Sequence, residues 1–192
     1  MTTKAELPIL QFHTQTDWAT WLGRHHESSQ GAWLKFAMKG SGVTTVTHPE
    51  ALEEALCYGW IDGQAAQFDE TFYLIHFTPR RPRSKWSQIN REKVERLTAA
   101  RRMKPAGLAQ VQAAKEDGRW DAAYPPASAA TVPEDLQRAL DENPKAKAFF
   151  KTLRGANRYA VIYRVHDAKR PETRARRIAQ YVAMLAEHRT LH

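Results

Sequence analysis

The chain has 192 residues, of which 42% are hydrophobic and 26% charged, so it can bury a substantial core in one domain or two small ones. Its longest uncharged apolar run, residues 72–77, falls far short of the roughly 20 residues that span a bilayer. The first residues lack the pattern of a signal peptide, and the single cysteine, Cys57, excludes an internal disulfide framework. We therefore expect a folded cytoplasmic protein without a membrane span.

The net charge of +8 is unevenly distributed along the chain. Residues 80–104 carry a net charge of +8 and residues 143–189 carry +9, whereas residues 1–79 carry −5 and residues 105–142 carry −4. Because the excess cations lie in two blocks, each block is a candidate surface for an acidic ligand or partner.

Three elements are predicted before the first aromatic stretch. Asp17 is expected to cap a helix that ends by Ser28, since apolar residues follow it at the spacing of one helix face. Alternating side chains over residues 32–38 predict a strand. Residues 47–50 read Thr-His-Pro-Glu, a capping-box pattern that begins a second helix, which is expected to stop near Gly59.

A small antiparallel sheet is the simplest arrangement of the next segment. Asp62-Gly63 is a dipeptide typical of hairpin turns, Asp69-Glu70 is another possible turn, and residues 72–77 are predicted to form a buried strand.

The remainder of the chain is predicted to be helical. Ser87 is a candidate helix cap, and Pro105 is expected to open a helix that closes near Gly118. The proline- and alanine-rich residues 125–130 resemble a linker. The fold class is therefore predicted as α+β, with a mixed domain over residues 1–124 and a helical domain over residues 131–192. First helical turns are further predicted at Pro133, Pro144 and Pro171.

Common cofactor and metal motifs are missing from the sequence. Gly40-Ser41-Gly42 has neither a following Gly-Lys-Ser/Thr nor a third glycine that opens a helix. The sequence contains no C-x-x-C pair and no H-E-x-x-H, and Cys57 on an apolar helix face is expected to be core filler. We predict no cofactor and no metal.

Aromatic and cationic residues are concentrated between Tyr58 and Asn90. The loop over residues 77–87 leads from a strand into a helix, and Pro79 and Pro82 restrict its backbone. Arginine forks and a helix N-terminus both favour carboxylate or phosphate, so the loop predicts a small anionic ligand or an acidic partner surface. In this hypothesis the cations are Arg80, Arg81, Arg83 and Lys85, the hydrogen-bonding residues are Ser84 and Asn90, the aromatic walls are Trp60 and Trp86, and the orienting acid is Asp62.

Each member of this set has a structural alternative. The acidic residues before the loop could compensate its cations through surface ion pairs, each worth at most about 1 kcal/mol. Trp60 and Trp86 could both be core residues. Asp62 could be a turn residue, or the general acid or base of an enzyme whose reaction the sequence does not identify.

The second basic block offers two further hypotheses. A helix that begins at Pro171 places Arg174 and Arg177 on one side, where they could bind a protein partner or the phosphates of nucleic acid. Nucleic acid is not favoured, because the tyrosines of this part fall at helical core spacing and no motif that reads DNA or RNA is present. Oligomeric state does not follow from the sequence.

Four motifs occur in this order: Gly40-Ser41-Gly42, EEALCYGWIDG at residues 53–63, FTPRRPRSKWSQIN at residues 77–90, and AKRPETRARRI at residues 168–178. Together they resemble the YdeI/OmpD-associated family of bacterial proteins and span about residues 33–185. The resemblance implies a mixed N-terminal part and a helical C-terminal part. It also implies a link to bacteriocin protection and to an outer-membrane porin. It implies no reaction, so it supplies no catalytic residue.

The preferred hypothesis is therefore a non-catalytic cytoplasmic protein that binds a small anion or an acidic surface. Its expected setting is envelope or antimicrobial-peptide stress, which follows from the resemblance alone.

Overall fold

The computed structural model describes residues 7–191, which divide into two compact units with a boundary between Tyr124 and Pro125. The first unit combines a sheet with helices and the second is helical, which confirms the predicted α+β class. The elements of the first unit are β1 (Ile9–Leu10), α1 (Gln15–His25), β2 (Ala32–Ala37), α2 (His48–Cys57), β3 (Trp60–Gln67), β4 (Phe72–Pro79), α3 (Gln88–Ala99) and α4 (Pro105–Glu116). The second unit contains a 3-10 turn (Ala127–Ala129), α5 (Glu134–Asp141), α6 (Pro144–Thr152), α7 (Gly155–Asp167) and α8 (Pro171–Ala186).

The four strands form one sheet in the order β1-β2-β4-β3. The β2–β4 and β3–β4 pairs are antiparallel, as predicted, but β1 runs parallel to β2, so the sheet is mixed. A strand of two residues, Ile9–Leu10, is too short to show a periodic pattern, which is why the sequence did not indicate it.

The predicted turn at Asp62-Gly63 was wrong. Both residues lie inside β3, and the register against β4 shifts between Asp62 and Ala65, so the local irregularity is a bulge within the strand. The chain reverses at the other candidate turn, where the Asp69 carboxylate accepts hydrogen bonds from the backbone N–H groups of Thr71 and Phe72, both at 2.7 Å.

Capping boxes begin the first two helices. The cap of α1 is Thr14 rather than the predicted Asp17, which is the acidic partner three residues later. The capping box of α2 is the predicted one, with Thr47 donating to the Glu50 carboxylate at 2.7 Å. Both boxes satisfy backbone N–H groups that a helix start leaves unpaired.

Helices α1 and α2 pack on one face of the sheet. Trp18 of α1 is fully buried, and its indole N–H donates to the carbonyl of Ala51 on α2 at 3.0 Å. Its ring also contacts Trp60 of β3 and Phe77 of β4. The core of the first unit therefore joins the sheet to the helix pair that carries His48.

A second cluster of the first unit lies among α2, α3 and α4. It includes Leu56, Val94, Val111 and the edge-to-face pair Trp86 and Trp120, whose ring centroids are 5.0 Å apart. The second unit has a separate core formed by residues of α5 to α8, which are Leu136, Leu140, Ala146, Phe150, Leu153, Val161, Ile162, Val165, Ile178, Tyr181 and Leu185.

Candidate functional site

The backbone after β4 places Arg80 at the end of the β3–β4 ladder. Arg80 N–H donates to the carbonyl of Gly59 at 3.0 Å, which extends the β3–β4 ladder by one residue. The chain then turns through residues 81–84 and reaches Trp86, where a short bridge between Ser87 and Tyr124 leads into α3. The two residues at the ends of this loop, Arg80 and Trp86, are thereby brought together.

The side chain of Arg80 is buried, with 5% of the residue exposed. Its guanidinium lies over the Trp86 ring, 3.6 Å from the centroid, and Nη1 donates to the carbonyl of Lys85 at 3.2 Å. The other two guanidinium nitrogens, Nε and Nη2, are shielded from solvent and have no hydrogen-bond partner among the described residues. The buried Nε1 of Trp86 likewise has none among them.

Nε and Nη2 form the edge of arginine that grips a carboxylate with two parallel hydrogen bonds. The same chain shows this geometry at Arg174, whose Nε and Nη2 donate to the two carboxylate oxygens of Asp135, the latter bond being 2.8 Å long. We call the corresponding edge of Arg80 the Arg80 fork. In its chemistry the fork is suited to a carboxylate or a phosphate.

Arg80 forms no direct ion pair with an acidic side chain among the described residues. The pKa of Arg80 is lowered to about 10, chiefly by burial and also by the nearby cation Arg119, while Tyr124 and Asp62 act in the opposite direction. The group therefore remains charged at neutral pH. A buried charge without a paired counter-charge is costly, so an anion at the fork would be strongly favoured.

The acidic residues that could have compensated the loop cations bind elsewhere. Glu53 pairs with Arg96 and Arg102, and Glu54 also pairs with Arg102. The Asp69 carboxylate is used by the turn after β3. The alternative that acidic side chains of the preceding segment neutralise Arg80 through direct contacts therefore finds no support among these pairs.

The turn over residues 81–84 is tightly closed. Ser84 N–H donates to the carbonyl of Arg81 at 2.9 Å, and the Ser84 hydroxyl accepts from Arg81 N–H at 3.0 Å. Pro82 occupies the second position and Arg83 the third, where its φ of 72° is one that glycine adopts most easily. Arg81, Arg83 and Lys85 are exposed, so these three predicted cations differ from the buried Arg80.

Two of the predicted ligand residues lie apart from the fork. Trp60 belongs to the sheet core, is 1% exposed, and donates its indole N–H to the carbonyl of His26 at 3.1 Å. It is therefore not a wall opposite Trp86, because burial in the other cluster leaves it no free face. Asn90 follows the Ser87 cap of α3, and its backbone N–H donates to the Ser87 hydroxyl at 3.1 Å.

Asp62 lies in a second arrangement, with His48. The His48 Nε2 and Asp62 Oδ2 atoms are 2.9 Å apart, and the two side chains are about one-third exposed. His48 was not predicted as a site residue, because the sequence pattern indicated only that it lies at a helix start. The two residues lie 14 positions apart, and only the packing of α2 on β3 brings them together.

A cavity of about 440 Å³ borders this pair. Its lining includes His48, the aromatic residues Phe36 and Tyr73, and the glycine- and threonine-rich segment over residues 40–47. Asp62 is not among the described residues that line it. His48 therefore both lines the cavity and contacts the carboxylate.

The second basic block is held by contacts within its own unit. Arg174 binds Asp135 and donates through Nη1 to the carbonyl of Val165, while Arg177 donates to the carbonyl of Arg164. Because these guanidinium groups serve helix packing, the structure weakens the argument that they bind phosphates. The hypothesis of a protein or nucleic-acid partner stays a prediction.

The Asp135–Arg174 pair predicts an acid-sensitive second unit. Hydrogen bonds from Arg174 lower the pKa of Asp135, so the stabilisation is present above the ordinary carboxyl pKa near 4 and is lost as the pH falls through the lower folded value. We expect Asp135→Asn to destabilise the second unit by about 2 kcal/mol at neutral pH and by progressively less as the pH falls below about 4. Amide hydrogen exchange in α5 and α8 measures the difference.

A matched control lies on the same helix. Asp141→Asn removes an exposed partner of Lys147, and its effect should be smaller than that of Asp135→Asn. Equal effects of the two variants at neutral pH, or an undiminished effect of Asp135→Asn in acid, would contradict this account.

The remaining sequence-based expectations concern Cys57, metals and membranes. Cys57 is fully buried, and burial raises the pKa of its thiol to about 11, which confirms its interpretation as core filler. Within residues 7–191, no three His, Cys, Asp or Glu side chains are grouped so as to hold a metal ion. No helix in the described part of the chain has both the length and the apolar character needed to cross a membrane.

Comparison with known families finds two matches. A family model described as a domain of unknown function (DUF8412) matches residues 10–110, and one described as bacteriocin-protection, YdeI or OmpD-associated matches residues 129–188. The second match confirms the resemblance drawn from the motifs, and it covers the C-terminal part of the stretch over which the motifs were found. No curated protein and no solved structure matches the chain.

Proposed function

We propose that the first unit of this chain, which belongs to the family described as a domain of unknown function (DUF8412), binds a small oxyanion at the Arg80 fork. Residues 129–188 match the family described as bacteriocin-protection, YdeI or OmpD-associated. The observation that carries the proposal is a guanidinium 5% exposed whose Nε and Nη2 have no hydrogen-bond partner among the described residues. The ligand class is a small carboxylate or phosphate, since both present two oxygens at the spacing of the fork.

Trp86 contributes to the same site in two ways. Its ring supports one face of the guanidinium at 3.6 Å, which keeps the fork in one plane. Its indole N–H is a further buried donor. The exposed cations Arg81, Arg83 and Lys85 belong to the same loop, and their field attracts anions toward this part of the surface.

Entry of a ligand requires a local rearrangement, because both fork nitrogens are shielded from solvent. The loop next to Arg80 contains a residue in a strained conformation, Arg83 at φ 72°. Such a position costs roughly 1–2 kcal/mol for a residue other than glycine. We propose that this loop moves when the anion binds, so its amide protection should change with the ligand.

The biological setting that we propose is cytoplasmic, in protection against bacteriocins or related envelope stress. It is supported by the description of the family to which residues 129–188 belong. In this setting the protein acts by binding, and the fork requires no catalytic step.

The proposal predicts that Arg80→Lys weakens anion binding while leaving the fold intact. Lysine keeps the charge but cannot donate two parallel hydrogen bonds, so affinity should fall by about tenfold or more. Calorimetric titration with phosphate, pyrophosphate, acetate, succinate and citrate measures the change, and hydrogen exchange over residues 80–86 reports the loop.

Two further variants test whether a loss of binding comes from the fork itself, from the lower positive charge of the loop or from unfolding. Arg81→Ala removes an exposed cation of the same loop and should leave the affinity within about twofold at physiological salt. Arg80→Met removes a buried charge that lacks full hydrogen bonding, and we expect it to lose binding without a lower free energy of unfolding. Equal loss in Arg81→Ala and Arg80→Lys, or no anion bound by the wild-type protein, would refute the fork as the ligand site.

A further inference from the structure

The His48–Asp62 pair is not used by the proposed anion site. His48 is the first residue of α2, and Asp62 is the third residue of β3. The 2.9 Å contact joins His48 Nε2 to the Asp62 carboxylate. Because a carboxylate only accepts hydrogen bonds, Nε2 must carry the proton, and in the neutral imidazole the lone pair is then on Nδ1.

This arrangement corresponds to the histidine and the carboxylate of a catalytic triad. A carboxylate behind an imidazole fixes its tautomer and orientation, and it stabilises the imidazolium that forms when the other nitrogen takes a proton. Here the remaining nitrogen is Nδ1, and the ring is about one-third exposed rather than buried. The pair is therefore built to accept and return a proton.

The cavity that His48 lines offers space for a substrate. The cavity of about 440 Å³ is large enough for a small organic molecule, and His48 is part of its lining. Phe36 and Tyr73 stack with their centroids 5.5 Å apart and provide an apolar surface, and the His48 ring meets Phe36 edge-on at 6.0 Å. The imidazole thus lies beside an apolar surface that could hold the body of a substrate.

Two hydroxyl groups of the cavity lining already form hydrogen bonds within the protein. The Thr47 hydroxyl donates to Glu50, and the Thr45 hydroxyl accepts from the backbone N–H of Ala37 at 3.0 Å. Neither hydroxyl is therefore arranged as a nucleophile that His48 activates. With these two hydroxyls engaged, water is the simplest nucleophile for a base in this position, which points to hydrolysis rather than to acyl transfer through Thr45 or Thr47.

We propose that this cavity is a hydrolytic site for a small ester, in which His48 is the catalytic base and Asp62 its positioning residue. His48 Nδ1 takes a proton from water as the water oxygen bonds to the ester carbonyl carbon. The bond from that carbon to the leaving oxygen then breaks, and Nδ1–H returns the proton to the leaving oxygen. The products are one acid and one alcohol, and no cofactor is consumed.

The test is hydrolysis of 4-nitrophenyl acetate and 4-nitrophenyl butyrate by the full chain. The wild-type protein is expected to show a rate that saturates with ester. His48→Gln should lower kcat/KM by about 100-fold, the lower end of the usual contribution of general-base catalysis. His166→Gln is the matched control, because His166 is an exposed histidine of the second unit and should have no effect.

The Asp62→Asn variant tests whether Asp62 orients His48 or binds the substrate. Since Asp62 does not line the cavity within the described chain, kcat should fall by about tenfold or more while KM stays within about twofold. Tryptophan fluorescence checks that each variant is folded. A rate linear in ester concentration, or a His48→Gln rate equal to that of the wild type, would overturn the proposal. The His48→Gln outcome does not depend on the Arg80 fork, because this variant alters neither Arg80 nor Trp86 and keeps the Asp62 charge that acts on Arg80.

Discussion

Gly107→Ala is expected to lower the free energy of unfolding of the first unit by about 3 kcal/mol or more. A Cβ at this position would lie 2.2 Å from the carbonyl oxygen of Cys57 and 2.7 Å from that of Leu56. These obstacles are backbone atoms of α2, which cannot rotate away as a side chain can. Alanine gains about 1 kcal/mol in helix propensity over glycine, and the overlap outweighs that gain. Helix α4 would have to move away from α2.

The matched control is another helical glycine of the same unit. At Gly23 in α1 the nearest atom to a new Cβ is the Tyr58 hydroxyl at 3.3 Å, the end of a side chain that can shift. We expect Gly23→Ala to be neutral or slightly stabilising, because the propensity gain remains. Urea unfolding followed by tryptophan fluorescence is a clean readout, since all six tryptophans lie before residue 125. A Gly107→Ala protein as stable as Gly23→Ala would contradict the close approach of α4 to α2.

Trp18→Ala is expected to destabilise the same unit by about 3–5 kcal/mol. The ring is fully buried, and it contacts Phe12, Trp21, Trp60 and Phe77 at centroid distances between 5.2 and 6.3 Å. Truncation also leaves the carbonyl of Ala51 without the indole donor, which adds roughly 1 kcal/mol or more if that oxygen stays dry.

Trp18→Phe separates the packing of Trp18 from its hydrogen bond. Phenylalanine keeps most of the aromatic contact and removes the donor to Ala51, so a loss of about 1–2 kcal/mol is expected. Circular dichroism in urea measures both variants, and hydrogen exchange in α6 and α8 should be unchanged because these helices belong to the other core. A Trp18→Ala loss under about 1 kcal/mol would show that the ring is not a core residue.

The predicted site between Tyr58 and Asn90 divides into two arrangements. Arg80 and Trp86 form the fork, and Asp62 joins His48 beside the cavity. Asp62 also raises the pKa of Arg80 through its negative charge, so the two arrangements are electrostatically connected. Trp60 takes part in neither, because it is a core residue. The stretch therefore contributes to two proposed activities, one of binding and one of hydrolysis.

The sequence by itself was sufficient for features that depend on residues close together in the chain. The capping box of Thr47 and Glu50, the Ser87 cap, the alternating strand Ala32–Ala37 and the helix from Pro105 are set by contacts or periodicities within a few positions. The same local patterns indicated the α+β class, and the four motifs indicated the family.

Only the tertiary structure decided which polar side chains meet. The sequence identified Arg80 as one cation of an exposed run, but burial by β3, Trp86 and the following loop distinguishes it from Arg81 and Arg83. His48 and Asp62 belong to different elements, and their contact depends on how α2 packs on the sheet. Burial and long-range contacts result from the packing of whole helices and strands, so a local sequence pattern does not predict them.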